Sequence, residues 1–297
     1  MNARAWQRIP ELGTEVGLWF LVRSLQALGR RPAEWMLRPI VAYYVARYPG
    51  IRRASANYLA RVGVEPTPRA VSTHVFTFAA CAIHRFLFVA DNVSGFRIEN
   101  HATEVLLGNG RAGTGAVLLG AHLGSFEALR AASRRTGARV NAVMDMRNAQ
   151  LMRRFLERHA PDANVGILEV GADPTDLMLR ARDCVERGEF VSILADRVGP
   201  GQRSTQVQFL GGTAELPTGP FLLAAHLRCP VYLVFGLYLG DGAYELVAEE
   251  FAERVELPRA DRDGALAAYA QRFAERLEVR CRQAPYNWFN FFDYWSD

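Results

Sequence analysis

The sequence predicts an α/β fold: a mainly parallel mixed sheet flanked by helices, preceded by an N-terminal helical segment. Three observations carry this. After residue 93, short apolar runs alternate with helical stretches, the pattern of repeated βαβ units. Several of those runs, such as residues 116–121 and 190–195, are apolar throughout, as strands covered on both faces are. Before residue 93 the chain holds helical stretches broken by proline and glycine, with no strand pattern.

In order, residues 12–28, 32–47, 51–62 and 67–91 read as helices. Their breaks are Gly29-Arg30-Arg31-Pro32, Pro49-Gly50 and Pro66-Thr67-Pro68. Residues 96–99 form a short strand, followed by a helix to about Leu107. Residues 116–121 form the next strand. Helix 125–137 precedes strand 139–144, helix 148–159 precedes strand 165–170, and helix 174–187 precedes strand 190–195. Residues 205–210 are a further short strand, and a helix starts at Pro217, where a first-turn proline is favourable. Residues 231–239 and 244–250 flank Gly240-Asp241-Gly242 as a hairpin. Residues 261–283 are a long amphipathic helix. The division is residues 1–92, helical and membrane-proximal, and residues 93–297, the α/β core, read as one continuous domain.

With 297 residues, half of them hydrophobic, the chain can bury a full core. The 35 basic residues are all arginine, which excludes lysine chemistry: no Schiff base and no Walker lysine. Cys81, Cys184, Cys229 and Cys281 are far apart, so neither zinc nor a disulfide framework is indicated. His74, His84, His101, His159 and His226 show no metal-ligand spacing. The last thirteen residues hold seven aromatics without interleaved basic residues. That favours core packing, or an acyl pocket or membrane contact, over nucleic-acid stacking.

Charge is unevenly placed. Residues 1–62 hold ten arginines and three acidic residues, net +7. Trp19, Phe20, Trp35, Met36, Tyr43 and Tyr44 lie among those arginines. The mixture suits interfacial helices on an anionic membrane, and equally a helical lid over the core. Glu15 and Arg23 interrupt the first apolar block. No run of about 20 apolar residues and no signal-peptide pattern is evident.

The functional signal is Ala116-Val117-Leu118-Leu119-Gly120-Ala121-His122-Leu123-Gly124-Ser125-Phe126-Glu127. An apolar strand ends in a histidine at the carboxyl edge, where open α/β sheets bind ligands. Gly124-Ser125 reads as a turn and N-cap. Glu127, in the helix's first turn, would reach back to one ring nitrogen of His122 and leave the other as a base. Taken alone, the pair reads as well as a satisfied core or surface histidine, because i, i+5 is not a helical contact spacing. Asp196-Arg197 follows another apolar strand and falls on the same rim, as a substrate contact or a surface ion pair. Leu210-Gly211-Gly212 and Pro217-Thr218-Gly219-Pro220 would let backbone approach a ligand.

This arrangement resembles the H-x4-D/E signature of the glycerolipid acyltransferase superfamily, here His122 and Glu127. Later blocks narrow the resemblance to the branch holding the bacterial late acyltransferases of lipid A. They are Val143 to Asn148, Gly188 to Arg197, Val207 to Gly212, Leu216 to Pro220 and Pro285 to Trp288. Asn148 and Arg197 stand where that branch usually has proline and glutamine or histidine.

The resemblance implies an O-acyltransferase with catalytic His122 and Glu127. It implies substrate contacts at Gly124, Ser125, Arg147, Asp196, Arg197, Gly211 and Thr218, with oxyanion donors near Gly124-Ser125. It implies no metal and no resident cofactor. The co-substrate is an acyl thioester carrying phosphopantetheine, on acyl carrier protein or CoA, and the acceptor is a hydroxyl of a membrane lipid or glycolipid precursor. The expected location is the cytoplasmic face of the bacterial inner membrane, peripherally bound, with no nucleic-acid partner. Two alternatives stay open: an acyl-thioester hydrolase with the same base, and a non-catalytic lipid- or carrier-binding protein. The second would be marked by a His122–Glu127 pair out of hydrogen-bond reach, or sealed from any cleft.

Overall fold

The structure, a computed structural model, describes residues 29–89, 92–107, 114–128, 139–144, 165–170, 174–199 and 201–295. The helix expected over 12–28, most of those expected over 125–137 and 148–159, and Arg147 lie outside the described residues.

Helices α1 (Arg30–Arg47), α2 (Pro49–Arg61) and α3 (Pro68–Val89) come first. Pro49 and Pro68 open α2 and α3, where a missing N–H costs nothing. Then follow β1 (Arg97–Asn100), α4 (Ala102–Leu107), β2 (Ala116–Gly120), β3 (Val140–Met144), β4 (Val165–Glu169), α5 (Pro174–Glu186) and β5 (Phe190–Leu194). The chain continues through β6 (Ser204–Phe209), β7 (Gly212–Pro217), α6 (Gly219–Leu227), β8 (Val231–Gly240), β9 (Ala243–Ala252) and α7 (Arg262–Gln283).

The main sheet runs β1-β9-β8-β2-β5-β3-β4. Every pairing in it is parallel except the β8–β9 hairpin. Alternate residues of each central strand feed two cores. Val117 and Leu119 pack with α6 and α7 on one face, and Ala116 and Leu118 with α1, α3 and α4 on the other. The expected mixed α/β sheet flanked by helices is what forms.

Two local expectations need correction. Leu210 and Gly211 are the two-residue turn of a β6–β7 hairpin, with φ of 51° and 73°. That is the positive-φ pair of a type I′ turn, so Gly211 serves hairpin geometry. The helix expected from Pro217 begins at Gly219, because Pro217 still pairs with Ser204 in β7. Thr218 bridges strand and helix, its N–H and Oγ1 both donating to the Arg203 carbonyl at 3.0 and 3.3 Å.

Residues Pro68–Phe88 are, contrary to the sequence expectation, long and apolar enough to cross a membrane by length and composition. In the fold 61% of that stretch is buried, and α3 contributes Val71, Ala80, Ile83 and Leu87 to the two cores. Its apolarity is that of a core helix.

His74 on α3 is fully buried. Its Nε2–H donates to the Trp288 carbonyl at 2.8 Å, and Nδ1 accepts from the Ser55 hydroxyl at 2.9 Å. Burial lowers its pKa to about 4, the backbone bond to Trp288 opposing this only in part. The unfolded chain therefore binds a proton that the folded one refuses. Stability should be full above the unfolded value near 6.5 and fall as pH drops from there toward 4, by on the order of 3 kcal/mol from this group. Denaturant unfolding across that range should show the decline, and His74→Gln should flatten it.

Candidate active site

β2 and β5 are parallel neighbours, with Gly120 opposite Leu194. Ala195 N–H donates to the Gly120 carbonyl at 3.0 Å, so both chains leave the sheet at the same level. Two residues past the last paired positions stand His122 and Asp196. The His122 ring Nδ1 lies 2.8 Å from Asp196 Oδ1, and its backbone N–H donates to Asp196 Oδ2 at 3.0 Å.

Asp196 is fully buried. An unpartnered carboxylate there would cost several kcal/mol, so its donors matter. They arrive from the end of the chain. Trp288 Nε1–H and Asn290 Nδ2–H donate to Oδ2 at 3.2 and 3.1 Å. The Tyr294 hydroxyl donates to the Asp196 carbonyl at 2.7 Å.

This C-terminal segment lies across the strand ends. Phe289 N–H donates to the His122 carbonyl at 2.8 Å, and Leu123 bridges Trp288 in antiparallel fashion. The Asn287 amide both accepts from Tyr238 N–H and donates to its carbonyl, at 2.7 and 3.0 Å, and so fixes the segment to β8.

Burial pushes the Asp196 carboxyl up, but His122, through charge and hydrogen bonds, and Arg197 hold it well below the usual carboxylate range. Burial lowers the His122 pKa, Asp196 raises it, and Arg197 and Arg85 lower it again, for a net value under the ordinary 6.5. At neutral pH the ring is thus neutral, with Nδ1–H on Asp196 and a lone pair on Nε2. The side chain is 31% exposed. Among the described residues no hydrogen bond engages Nε2. One ring nitrogen is fixed by Asp196 and the other makes no hydrogen bond among the described residues, a state that suits abstraction of a hydroxyl proton.

The carboxylate on the ring is therefore Asp196, not Glu127. Gly124 has φ +71°, and a Cβ there would collide with the Gly236 carbonyl. Ser125 N–H donates to that carbonyl at 2.7 Å, and Ser125 Oγ caps the new helix by accepting from Ala128 N–H at 3.2 Å. The turn is thereby pinned to β8. Glu127 instead receives a 3.4 Å hydrogen bond from the Ser125 hydroxyl and lies 3.9 Å from Arg85 Nε on α3.

The proposed oxyanion donors are also corrected. Gly124 N–H donates to the Asn287 carbonyl at 2.8 Å and Ser125 N–H to Gly236, so both are engaged. The Asp196-Arg197 pair is not a surface ion pair. Arg197 Nε and Nη2 donate to Asn290 Oδ1 and the Phe289 carbonyl, each at 2.6 Å, and tie down the C-terminal segment. Gly211 and Thr218 make no hydrogen bond to the His122 cluster. Sequence reasoning missed Trp288, Asn290 and Asn287 as site builders. The available signal was two asparagines in an otherwise aromatic block. An open depression of about 1030 Å³ lies at the opposite edge, beside Gly115 and Cys229 at the amino ends of β2 and β8, away from this chemistry.

A carboxylate-backed histidine at the carboxyl edge of a parallel sheet defines a site for activating a hydroxyl or water. Residues 72–296, which run from α3 to the C-terminal segment, match the bacterial lipid A biosynthesis acyltransferase family. The chain belongs to that family, whose class is acyl transfer onto lipid precursors. A comparison with curated proteins finds no match.

Gly124→Ala should destabilise the protein by at least about 2 kcal/mol, because it adds positive-φ strain to a backbone collision. Gly236→Ala, whose Cβ would strike the Ser125 carbonyl, should do likewise. Thermal unfolding of both variants checks this.

Proposed function

We propose that the protein is an O-acyltransferase that moves a fatty acyl group from a thioester to a hydroxyl of a membrane lipid or glycolipid precursor. The observation that carries this is the His122–Asp196 pair at the strand edge, with Nδ1 tied to a buried carboxylate on a partly exposed ring. His122 Nε2 takes the acceptor's hydroxyl proton as its oxygen attacks the thioester carbonyl. Collapse of the tetrahedral intermediate forms the ester and expels the thiolate, which receives the proton from Nε2. Asp196 orients the ring and stabilises its cationic form. The donor is an acyl thioester on carrier protein or CoA.

The non-catalytic alternative was tied to a His122–Glu127 pair out of hydrogen-bond reach, and Glu127 does contact Ser125 and Arg85 instead of the ring. Catalysis is the reading favoured here because the buried Asp196 carboxylate takes that place on the ring and the His122 side chain is 31% exposed. Hydrolysis with water as acceptor uses the same base, and turnover of acyl thioester with and without acceptor separates the two. His122→Ala should lose at least about 10²-fold in acyl transfer while remaining folded. Asp196→Asn should lower the pH at which His122 titrates, whereas Glu127→Gln should leave that titration nearly in place. Near-normal turnover by folded His122→Ala protein would remove the base from this account.

The membrane reading is peripheral binding to the cytoplasmic face of the inner membrane. Helix α1 buries Ala33, Leu37 and Val41 and turns Trp35 and Tyr43 outward, 69% and 58% exposed. Arg31, Arg38 and Arg47 are exposed on the same helix, Arg38 lying 5.1 Å over the Trp35 ring. Each arginine near an anionic surface contributes roughly 1 kcal/mol, screened by salt, while the aromatics add a salt-resistant part. Binding to anionic vesicles should weaken but persist at high salt, and fall further in Trp35→Ala/Tyr43→Ala. No affinity at low salt would sink the peripheral reading.

A further inference from the structure

Asp196 does not hold His122 unaided. Its Oδ1 meets one donor, the His122 ring. Its Oδ2 meets three: His122 N–H, Trp288 Nε1–H and Asn290 Nδ2–H, at 3.0, 3.2 and 3.1 Å. Backbone and indole N–H groups can only donate. The Asn290 amide is oriented too, because Arg197 donates to its Oδ1 at 2.6 Å and leaves Nδ2 to face Asp196.

We propose that Trp288 and Asn290 are positioning residues of the reaction: their N–H groups saturate Asp196 Oδ2, so the carboxylate presents Oδ1 to the His122 ring in one orientation. This rests on His122 acting as the base.

Trp288 is itself fixed from several directions. It is fully buried, and its ring lies 4.6 Å from Tyr294, 5.1 Å from Tyr58 and 5.3 Å from Phe209. Its carbonyl accepts from His74, which in turn is held by Ser55. Aromatic packing would be satisfied by phenylalanine. The indole N–H adds a directed bond to the carboxylate. Donors on Oδ2 also make the carboxylate less basic, so the shared proton stays on Nδ1 of the ring. Removing one should make Asp196 a stronger partner for imidazolium and raise the pH at which His122 titrates.

The test is Trp288→Phe, with Trp295→Phe as its control. Trp295 lies in the same segment and loses an indole N–H bonded to the Phe209 carbonyl at 2.8 Å, with no bond to Asp196. In protein carrying ¹⁵N-labelled histidine, the His122 ring is assigned by comparison with His122→Gln and titrated by NMR. Its midpoint should rise by about 0.5 in Trp288→Phe and stay in place in Trp295→Phe. In acyl transfer, kcat should fall about 10-fold in Trp288→Phe with KM within about twofold of the parent. If Trp288→Phe does not fold, Asn290→Ala carries the same expectations.

A His122 midpoint that stays put in Trp288→Phe, or that moves equally in Trp295→Phe, overturns the proposal. The NMR reading does not depend on turnover. An unmoved midpoint in an active enzyme therefore defeats the positioning idea alone, and a parent protein without acyl transfer defeats the reading on which it rests.

Discussion

One buried carboxylate organises the functional end of this molecule. Asp196 is sealed from solvent and charged, and a charge in that position persists only if donors surround it. Its two oxygens meet four N–H donors from the end of β2 and from the C-terminal segment, while Tyr294 secures its carbonyl. Losing any one donor would leave part of the charge unmatched at about 1–3 kcal/mol. The same bonds that make the carboxylate tolerable also fix the histidine, so stability and ring orientation share one set of contacts.

That arrangement explains what the sequence could and could not disclose. The apolar runs at residues 116–121 and 190–195 and the Gly240-Asp241-Gly242 turn were legible, because period and turn chemistry are local. His122 was legible for the same reason: it ends a buried strand. Its partner was not, because the two side chains are 74 positions apart and meet only through the pairing of β2 with β5. Strand order is a property of packing, and no local pattern encodes it. Glu127 was the attractive choice by proximity. Gly124's positive φ and the contact with Gly236 then turn the chain so that Glu127 faces Arg85. The surroundings of Thr218 and Gly211 were hidden for a different reason. Their residue types fit a loop, a hairpin or a helix start equally well, and only the pairing of β6 with β7 places Gly211 in the hairpin turn and Thr218 just beyond the end of β7.

The N-terminal helices show a related duality. The sequence allowed a lid over the core or an interfacial surface, and α1 has a face for each. Its inner face joins the core, and a buried polar cluster locks it there. Arg30 donates to Glu34 at 2.7 Å and also reaches the Asp241 side chain and carbonyl at the β8–β9 tip. Glu34 lies 2.9 Å from the buried His84, whose other nitrogen meets the Tyr244 hydroxyl at 2.8 Å. Burial pushes Glu34 up, and His84 and Arg30 more than offset it, so the cluster favours the ionised carboxylate. An exposed face on a helix held this firmly is a rigid surface.

The same saturation bears on which residues tolerate change. Gly124, Ser125, Asp196 and Arg197 each hold His122, the turn after it or the C-terminal segment in place. Substituting any of them would disturb the setting of His122. Arg85 and Glu127 are placed otherwise. They sit on α3 and at the start of the next helix, they are partly exposed, and their mutual contact is long at 3.9 Å. An ion pair that loose and that exposed contributes little to stability. The fold thus separates a histidine whose Nδ1 and backbone N–H are both held by Asp196 from a loosely paired, partly exposed Arg85–Glu127 contact.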